Sequence, residues 1–325
     1  MSNIGKDYAA GNLIGWAETT NPGLARQQFN LLSDSFSEFR IAGQTRETAG
    51  RKTFLFDVVK AVLGRHIPVY TQQESDCVSF GMKNAIEYLT CSQIAGIAAS
   101  QTEMSFGDYI QAARLKWRPS FAPYYYGTGR VYVGKNSLRG GGSLGSWMIE
   151  AVKQFGTLFA DQPGVPEYSG QIAREYGSSK SVLDKWLSIA DDYPVKTSTR
   201  ISTWEDYCSC IHNGFPVTLA SNIGYSMEAG RDGFHVQNAN WSHQMCGVAA
   251  DESHSESYGL ILNQWGDVHG ELKDFQTGET LPPGLIRARR ADIEKHLKYG
   301  ECYAPSGFEG YPEQRLDKAL FLLLN

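Results

Sequence analysis

Apolar positions recur at helical spacing from Cys77 to Ile97, with Phe80, Ile86 and Leu89 on one face, and this is the strongest helix in the pattern. Ser75 or Asp76 stands where its cap belongs. Phe54 to Leu63 predicts a second helix, turned into extended chain through Gly64 and Pro68. Shorter helices are predicted over Ser146–Phe155, Ser181–Ile189 and Trp204–Asn213, and one more, Leu24–Phe39, within an otherwise polar first 50 residues. Then the period changes. Pro216–Ala220, His243–Ala250 and Tyr258–Asn263 have strand chemistry, and the polar link Asp251–Ser257 makes the last two a hairpin with a longer loop. Leu320–Leu324 predicts a closing strand. Pro119–Arg139, aromatic and glycine-rich, reads as an irregular surface segment leading into Gly140-Gly141-Gly142. The basic run Arg287–Arg290 reads as the solvated start of a helix. Helices gather in the first half and strands in the second, which predicts an α+β fold with two lobes. Residues 1–65 are expected to form an arm and 66–325 the domain, divided near residue 200.

Composition narrows the function classes. A chain of 325 residues with 42% hydrophobic and 20% charged residues is long enough for a sizeable core and reads as globular. A net charge of −5 without an aromatic-spaced basic cluster argues against nucleic acid or an anionic membrane as the partner. No run reaches the length of a membrane span, and the first residues lack a signal-peptide core, so a cytoplasmic location is expected. The six cysteines are expected to be mostly reduced thiols. Cys208-Ser209-Cys210 with His212 has metal-ligand chemistry but no second well-spaced pair, so no metal is expected. No organic cofactor is implied.

Reactive chemistry concentrates at three places. Cys77 opens a helix, where unpaired N–H groups and the macrodipole favour a thiolate. Its neighbour Asp76 opposes that charge unless the carboxylate turns away. His243 opens an apolar strand, and the hairpin returns the chain to Asn263, whose amide oxygen can accept from one ring nitrogen while the other faces a thiol. His66, His212 and His296 lie in helical or polar contexts and His254 in a loop, which leaves His235 and His269 as the rivals. Gln72, five residues before Cys77, offers an amide donor for an oxyanion, with the Cys77 backbone N–H as its companion; Gln73 is adjacent and equally suited.

The ordered set Gln72, Asp76-Cys77-Val78-Ser79-Phe80, Gly141-Gly142, Trp147, His243 and Asn263-Gln264-Trp265-Gly266 resembles the papain-like cysteine peptidases, over roughly residues 66–272. Phe215-Pro216-Val217-Thr218 is similar to the family's strand before the histidine. The resemblance implies a helical lobe, about 66–200, carrying the nucleophile, and an antiparallel β-barrel lobe, about 201–325, carrying the histidine and asparagine. It implies Cys77 as nucleophile, His243 as base, Asn263 as orienter and Gln72 as oxyanion donor. Trp265 would shield the asparagine–histidine bond, and Gly141 and Gly142 would hydrogen-bond an extended substrate.

Departures from the family are specific. The glutamine lies one residue closer to the cysteine, Glu74 replaces a disulfide cysteine, and Val78 replaces a tryptophan. Gln264 replaces a serine, and His269 stands at the second tryptophan of the asparagine motif. Trp241 stands where a smaller residue lines the main specificity pocket, which implies a narrowed or reshaped pocket. With no signal and no recognisable propeptide, the layout is similar to bacterial or phage-type relatives. The resemblance implies a thiol hydrolase that cleaves peptide or isopeptide bonds of a peptide or protein substrate through a thioester. The alternatives are a cell-wall peptide or amide hydrolase, and a structural or docking component of a larger assembly, such as a phage particle, joined to other proteins through the N-terminal arm and virion-associated.

Overall fold

Among the described residues seven strands pair antiparallel, six of them in the second half of the chain. The computed structural model describes residues 15–19, 50–100 and 103–308. The expected helix at 24–39 and the strand at 320–324 lie outside them. The strands are β1 (Lys52–Phe54), β2 (Val195–Arg200), β3 (Val217–Tyr225), β4 (Gln237–Asp251), β5 (Tyr258–Leu262), β6 (Leu285–Arg289) and β7 (Glu301–Phe308). Their order is β2-β7-β3-β4-β5-β6, with β1 pairing the far end of β4.

Helices α1 (Leu55–Leu63), α2 (Cys77–Ser100), α3 (Phe106–Ala113), α4 (Ala122–Gly127) and α5 (Gly145–Gln154) precede the main strands. They are followed by α6 (Gly170–Tyr176), α7 (Lys180–Asp184), α8 (Leu187–Ala190), α9 (Trp204–His212) and α10 (Arg290–Lys298). The α+β class read from the pattern is the class observed. The sheet, however, stays open where a barrel was expected. Helix α10 packs against β3, β5, β6 and β7.

Helix α2 is the hub. Every residue except Ile97 and Ser100 is buried, so the inward face read from Phe80, Ile86 and Leu89 understates its enclosure. A helix surrounded on all sides must satisfy its polar residues internally. Lys83 meets Glu87 at 2.5 Å, and the Glu87 carboxylate also accepts from Tyr70 Oη at 2.8 Å and Ser120 N at 2.8 Å. Gly81 lets β4 approach: a Cβ there would meet the Gln244 side chain at 2.9 Å.

Three boundaries differ from the sequence reading. Lys52–Phe54 pairs with Ala249–Asp251 of β4, and α1 buries Leu55, Phe56, Val58, Val59 and Val62, so residues 52–63 belong to the folded body and not to an arm. The aromatic segment after Pro119 is not an irregular surface. It forms α4 and a π-helical turn over Thr128–Val133, with Tyr124, Tyr125 and Tyr126 buried. Strand β2 falls within the span read as helical and pairs with β7.

Candidate active site

Cys77 is the first residue of α2, and the backbone carbonyl of Asp76 accepts from Ser79 N at 3.0 Å and Phe80 N at 3.3 Å to start the helix. The thiol is fully buried. Gln244, the residue after His243 on β4, donates its backbone N–H to Cys77 Sγ at 3.4 Å. Its side-chain amide donates to Val78 O at 3.0 Å. The helix start and the histidine strand are thereby locked together.

His243 Nε2 lies 2.8 Å from Asn263 Oδ1, an atom that only accepts. That fixes the proton on Nε2 and leaves Nδ1 as the acceptor nitrogen of the ring. Asn263 Oδ1 also accepts from Gln264 N at 2.8 Å. The Asn263 amide Nδ2 donates to His269 Nε2 at 2.7 Å. Burial pushes His243 down to about 3, with the Asn263 bond pulling the other way. His269 is held at about 3, by burial first and then by the neighbouring His235 and His243. Both rings are therefore neutral across ordinary pH.

Trp265 lies against His243 with ring centroids 4.7 Å apart and tilted by 32°, where it covers the histidine. Its indole N–H donates to Gln72 Oε1 at 3.2 Å. Gln72 is buried, and its amide nitrogen donates to Glu74 O at 2.8 Å. Gln73 instead meets Tyr168 Oη through its backbone N–H and Gly170 N through its side chain, so of the two adjacent glutamines Gln72 is the one bonded to Trp265. Gln264 ties the site from the other side, donating to Gln244 O at 2.8 Å and Cys77 O at 3.4 Å.

Asp76 turns away from solvent into a contact with Tyr168 Oη, which donates to its carboxylate at 3.1 Å. Burial raises its carboxyl to about 8 despite that bond. At pH 7 its neutral form dominates, so the repulsion expected beside a thiolate is largely absent.

Trp241 does not line an open pocket. It is fully buried, packs on Trp265 at 4.7 Å, and needs Gly224 beneath it, where a Cβ would meet the indole at 2.7 Å. Gly142 has φ 87°, and its N–H donates to Ser75 O at 3.2 Å and Tyr126 Oη at 3.0 Å. Arg130 takes its carbonyl. At Gly141 a Cβ would strike Ser75 at 2.6 Å, so this glycine is required by close packing of the loop. The backbone that offers both its N–H and C=O to another segment is that of Ser143, one residue further on. Ser143 N donates to Gly15 O at 2.8 Å, and Ala17 N donates to Ser143 O at 2.8 Å. Ser242, just before His243, accepts from Gly15 N at 3.0 Å and Trp16 N at 2.9 Å. Sequence reasoning missed Ser143, Ser242 and Trp16; only the adjacency of the two serines to Gly142 and His243 pointed to them.

The chain resembles solved thiol proteases. It is similar to xylellain, a cysteine protease from Xylella fastidiosa, with 14% identity and a TM-score of 0.48 over 78% of this chain and 85% of that one. It is similar to a digestive procathepsin L 3 from the larval midgut of Tenebrio molitor, at 10% identity and TM-score 0.49 over 84% of this chain and 74% of that one. A procathepsin B from Trypanosoma congolense gives 10% identity and TM-score 0.48 over 84% and 81%. No family model and no curated protein matches the chain.

The cysteine–histidine cluster on α9 has a different character. Cys208, His212 and Glu252 bring three ligating atoms within 4.8 Å of one another. Cys210 is not part of the group. His212 Nδ1 meets Thr53 Oγ1 at 2.8 Å, and Glu252 accepts from Trp204 Nε1 at 3.2 Å. The atoms that face one another, His212 Nε2 and Glu252 Oε2 at 3.5 Å, are not the ones making those bonds, and with Cys208 they offer three ligands, one fewer than a closed four-ligand site. Among the described residues no helix is long and apolar enough to cross a membrane.

Proposed function

We propose that the chain is a papain-like cysteine peptidase, a thiol-dependent hydrolase of peptide or isopeptide bonds. The observation that carries this is the His243 Nε2–Asn263 Oδ1 bond of 2.8 Å on a strand whose next residue donates to Cys77 Sγ. In this reading Cys77 Sγ loses its proton to His243 Nδ1 and attacks the carbonyl carbon. The Cys77 backbone N–H and the Gln72 amide receive the charge on oxygen, which requires Gln72 to release Glu74 O. His243 then protonates the leaving amine, and water cleaves the thioester. The substrate is a peptide or protein in extended form.

The test is mass-spectrometric mapping of Cys77 alkylation against pH, in wild type and His243→Ala, beside hydrolysis of a fluorogenic peptide library that includes cell-wall peptides. An activated pair gives modification well below the free-thiol pKa of about 8.5, lost in the variant. Identical profiles together with no hydrolysis sink the reading. A second reading, a docking component of a larger assembly such as a phage particle, is favoured by one observation: residues 15–17 lie across the site. Stoichiometric co-purification with partner proteins and full function of a Cys77→Ala chain would support it.

A further inference from the structure

Cys208 and His212 stand at i and i+4 on α9, which places them on one face of that helix. Both are fully buried. Their spacing alone implies no metal, because it offers two ligands. Folding adds the third. Glu252, directly after β4, brings its carboxylate to the pair, so that one ligating atom from each residue lies within 4.8 Å of the other two.

Two of the three residues are held from behind with the ligating atom left over. His212 Nδ1 meets Thr53 Oγ1 at 2.8 Å, while Nε2 is buried with no hydrogen bond among the described residues. Glu252 Oε1 accepts from Trp204 Nε1 at 3.2 Å, and its Oε2 is buried in the same unbonded state. These two atoms face each other at 3.5 Å. Ligands bound at 2.0–2.3 Å around a tetrahedral ion stand about 3.3–3.6 Å apart. A hydrogen bond at the remote ring nitrogen is also how metal-binding histidines are oriented. Burying two polar atoms unbonded costs stability, and a cation between them satisfies both. A thiolate and a carboxylate balance a doubly charged ion, so the filled site is neutral, as burial requires. A thiol–imidazole–carboxylate relay is the competing chemistry. It fails here because the carboxylate stands at the ring nitrogen that would take the thiol proton, and Thr53 holds the other.

We propose that Cys208, His212 and Glu252 form a zinc site whose fourth position is open to water beside Glu252, the one of the three with an exposed edge, at 12%. Thiolate and imidazole select zinc over magnesium or calcium, which take oxygen ligands. The ion fastens α9 to the end of β4 and, through Thr53, to the short strand β1. Its role is to stabilise the fold. The site lies roughly 25–30 Å along β4 from His243, so it is separate from Cys77 and independent of the peptidase reading.

The experiment uses full-length Cys77→Ala protein, which lacks the other thiol that could bind metal beside a histidine. It is stripped with a chelator under reducing conditions and dialysed against zinc chloride, and bound zinc is measured by atomic emission beside thermal melts. The expected result is one zinc per chain and a melting temperature raised by about 4 °C at a hundredfold excess over Kd. Cobalt chloride in place of zinc gives a sulfur-to-cobalt charge-transfer band. Adding Cys208→Ser or Glu252→Gln weakens zinc binding at least about tenfold, and Cys208→Ser also abolishes the band, whereas Cys210→Ser changes neither. Zinc affinity that is equal in Cys208→Ser and Cys210→Ser, or a Kd weaker than about 0.1 mM in the parent, overturns the proposal. If Cys208→Ser does not fold, Glu252→Gln decides, because its amide oxygen still accepts from Trp204; undiminished affinity there overturns the proposal by itself.

Discussion

His269 Nε2 accepts the Asn263 side-chain N–H at 2.7 Å, so the amide that orients His243 is itself held by a second histidine. His269 is fixed in turn: its backbone carbonyl lies 3.3 Å from His235 Nε2, and Arg287 N donates to His235 Nδ1 at 3.0 Å. A histidine serves here because a neutral ring nitrogen can receive that N–H and stop the amide from flipping.

Removing that acceptor loosens Asn263 and with it the tautomer of His243. His269→Phe keeps a ring of similar bulk without the acceptor. Hydrolysis is expected to fall roughly 10–100-fold in kcat with little change in KM, the cost of a slightly misplaced base. Steady-state kinetics check this, and an unchanged kcat would show the Asn263–His269 bond to be dispensable.

Asp76 sets the alkaline limit. Its carboxyl, raised to about 8 by burial, ionises as pH climbs past that value and then opposes the thiolate beside it. Activity is expected to decline above about pH 8, and Asp76→Asn, which keeps an acceptor for Tyr168, should flatten that limb. The pH profile of kcat/KM in both proteins decides. For stability the sign is the same: a raised acid stabilises the fold fully below its unfolded value of 3.8, and that contribution is lost as pH rises through 8.

Buried histidines make the opposite end labile. Burial lowers His212 and His235 to about 4, and His243, His269 and His296 to about 3. A depressed histidine contributes stability that is complete above 6.5 and lost as pH falls through the folded value. Five such groups outweigh the raised acids Asp57, Asp76 and Glu301, whose contribution grows as pH falls. The melting temperature is expected to drop by on the order of 10 °C or more between pH 6.5 and pH 4. Calorimetry across that window checks it; a flat profile contradicts the burial of these rings.

The buried pair on α2 is expected to have a large effect on stability. Lys83→Met leaves the Glu87 carboxylate without its cation in a site where both side chains are nearly inaccessible. The expected loss is about 3–5 kcal/mol. Lys83→Met/Glu87→Gln should recover part of it, because the amide still accepts from Tyr70. Urea unfolding measures both.

The reach of the sequence follows from where physical signals are local. Cys77 at a helix start, His243 before an apolar strand and Asn263 at the end of the returning strand are marked by periodicity and a hairpin, and the structure brings His243 and Asn263 within hydrogen-bond distance beside the helix carrying Cys77. Strand β7 was missed because Pro305, Gly307 and small residues blur its alternation, and because its pairing with β2 and β3 is set by distant residues. The buried tyrosines of α4 read as surface for a similar reason: their glycine-rich surroundings are turn-like locally, and only packing against α2, α5 and α6 makes them core. Trp16 carries no local signal at all, since an isolated tryptophan in a polar stretch reveals neither Ser143 nor Ser242.

The site is built from partners far apart in the chain. The bonds that join Cys77 Sγ to Gln244, Cys77 O to Gln264 and Gln72 to Trp265 span 167, 187 and 193 residues. Such long-range closure is slow and comes late. During synthesis from the N-terminus, Cys77 emerges long before the histidine, the asparagine or the indole that complete it. The surroundings that would activate the thiol are therefore missing while the chain is being made, and Cys77 passes through synthesis as an ordinary cysteine.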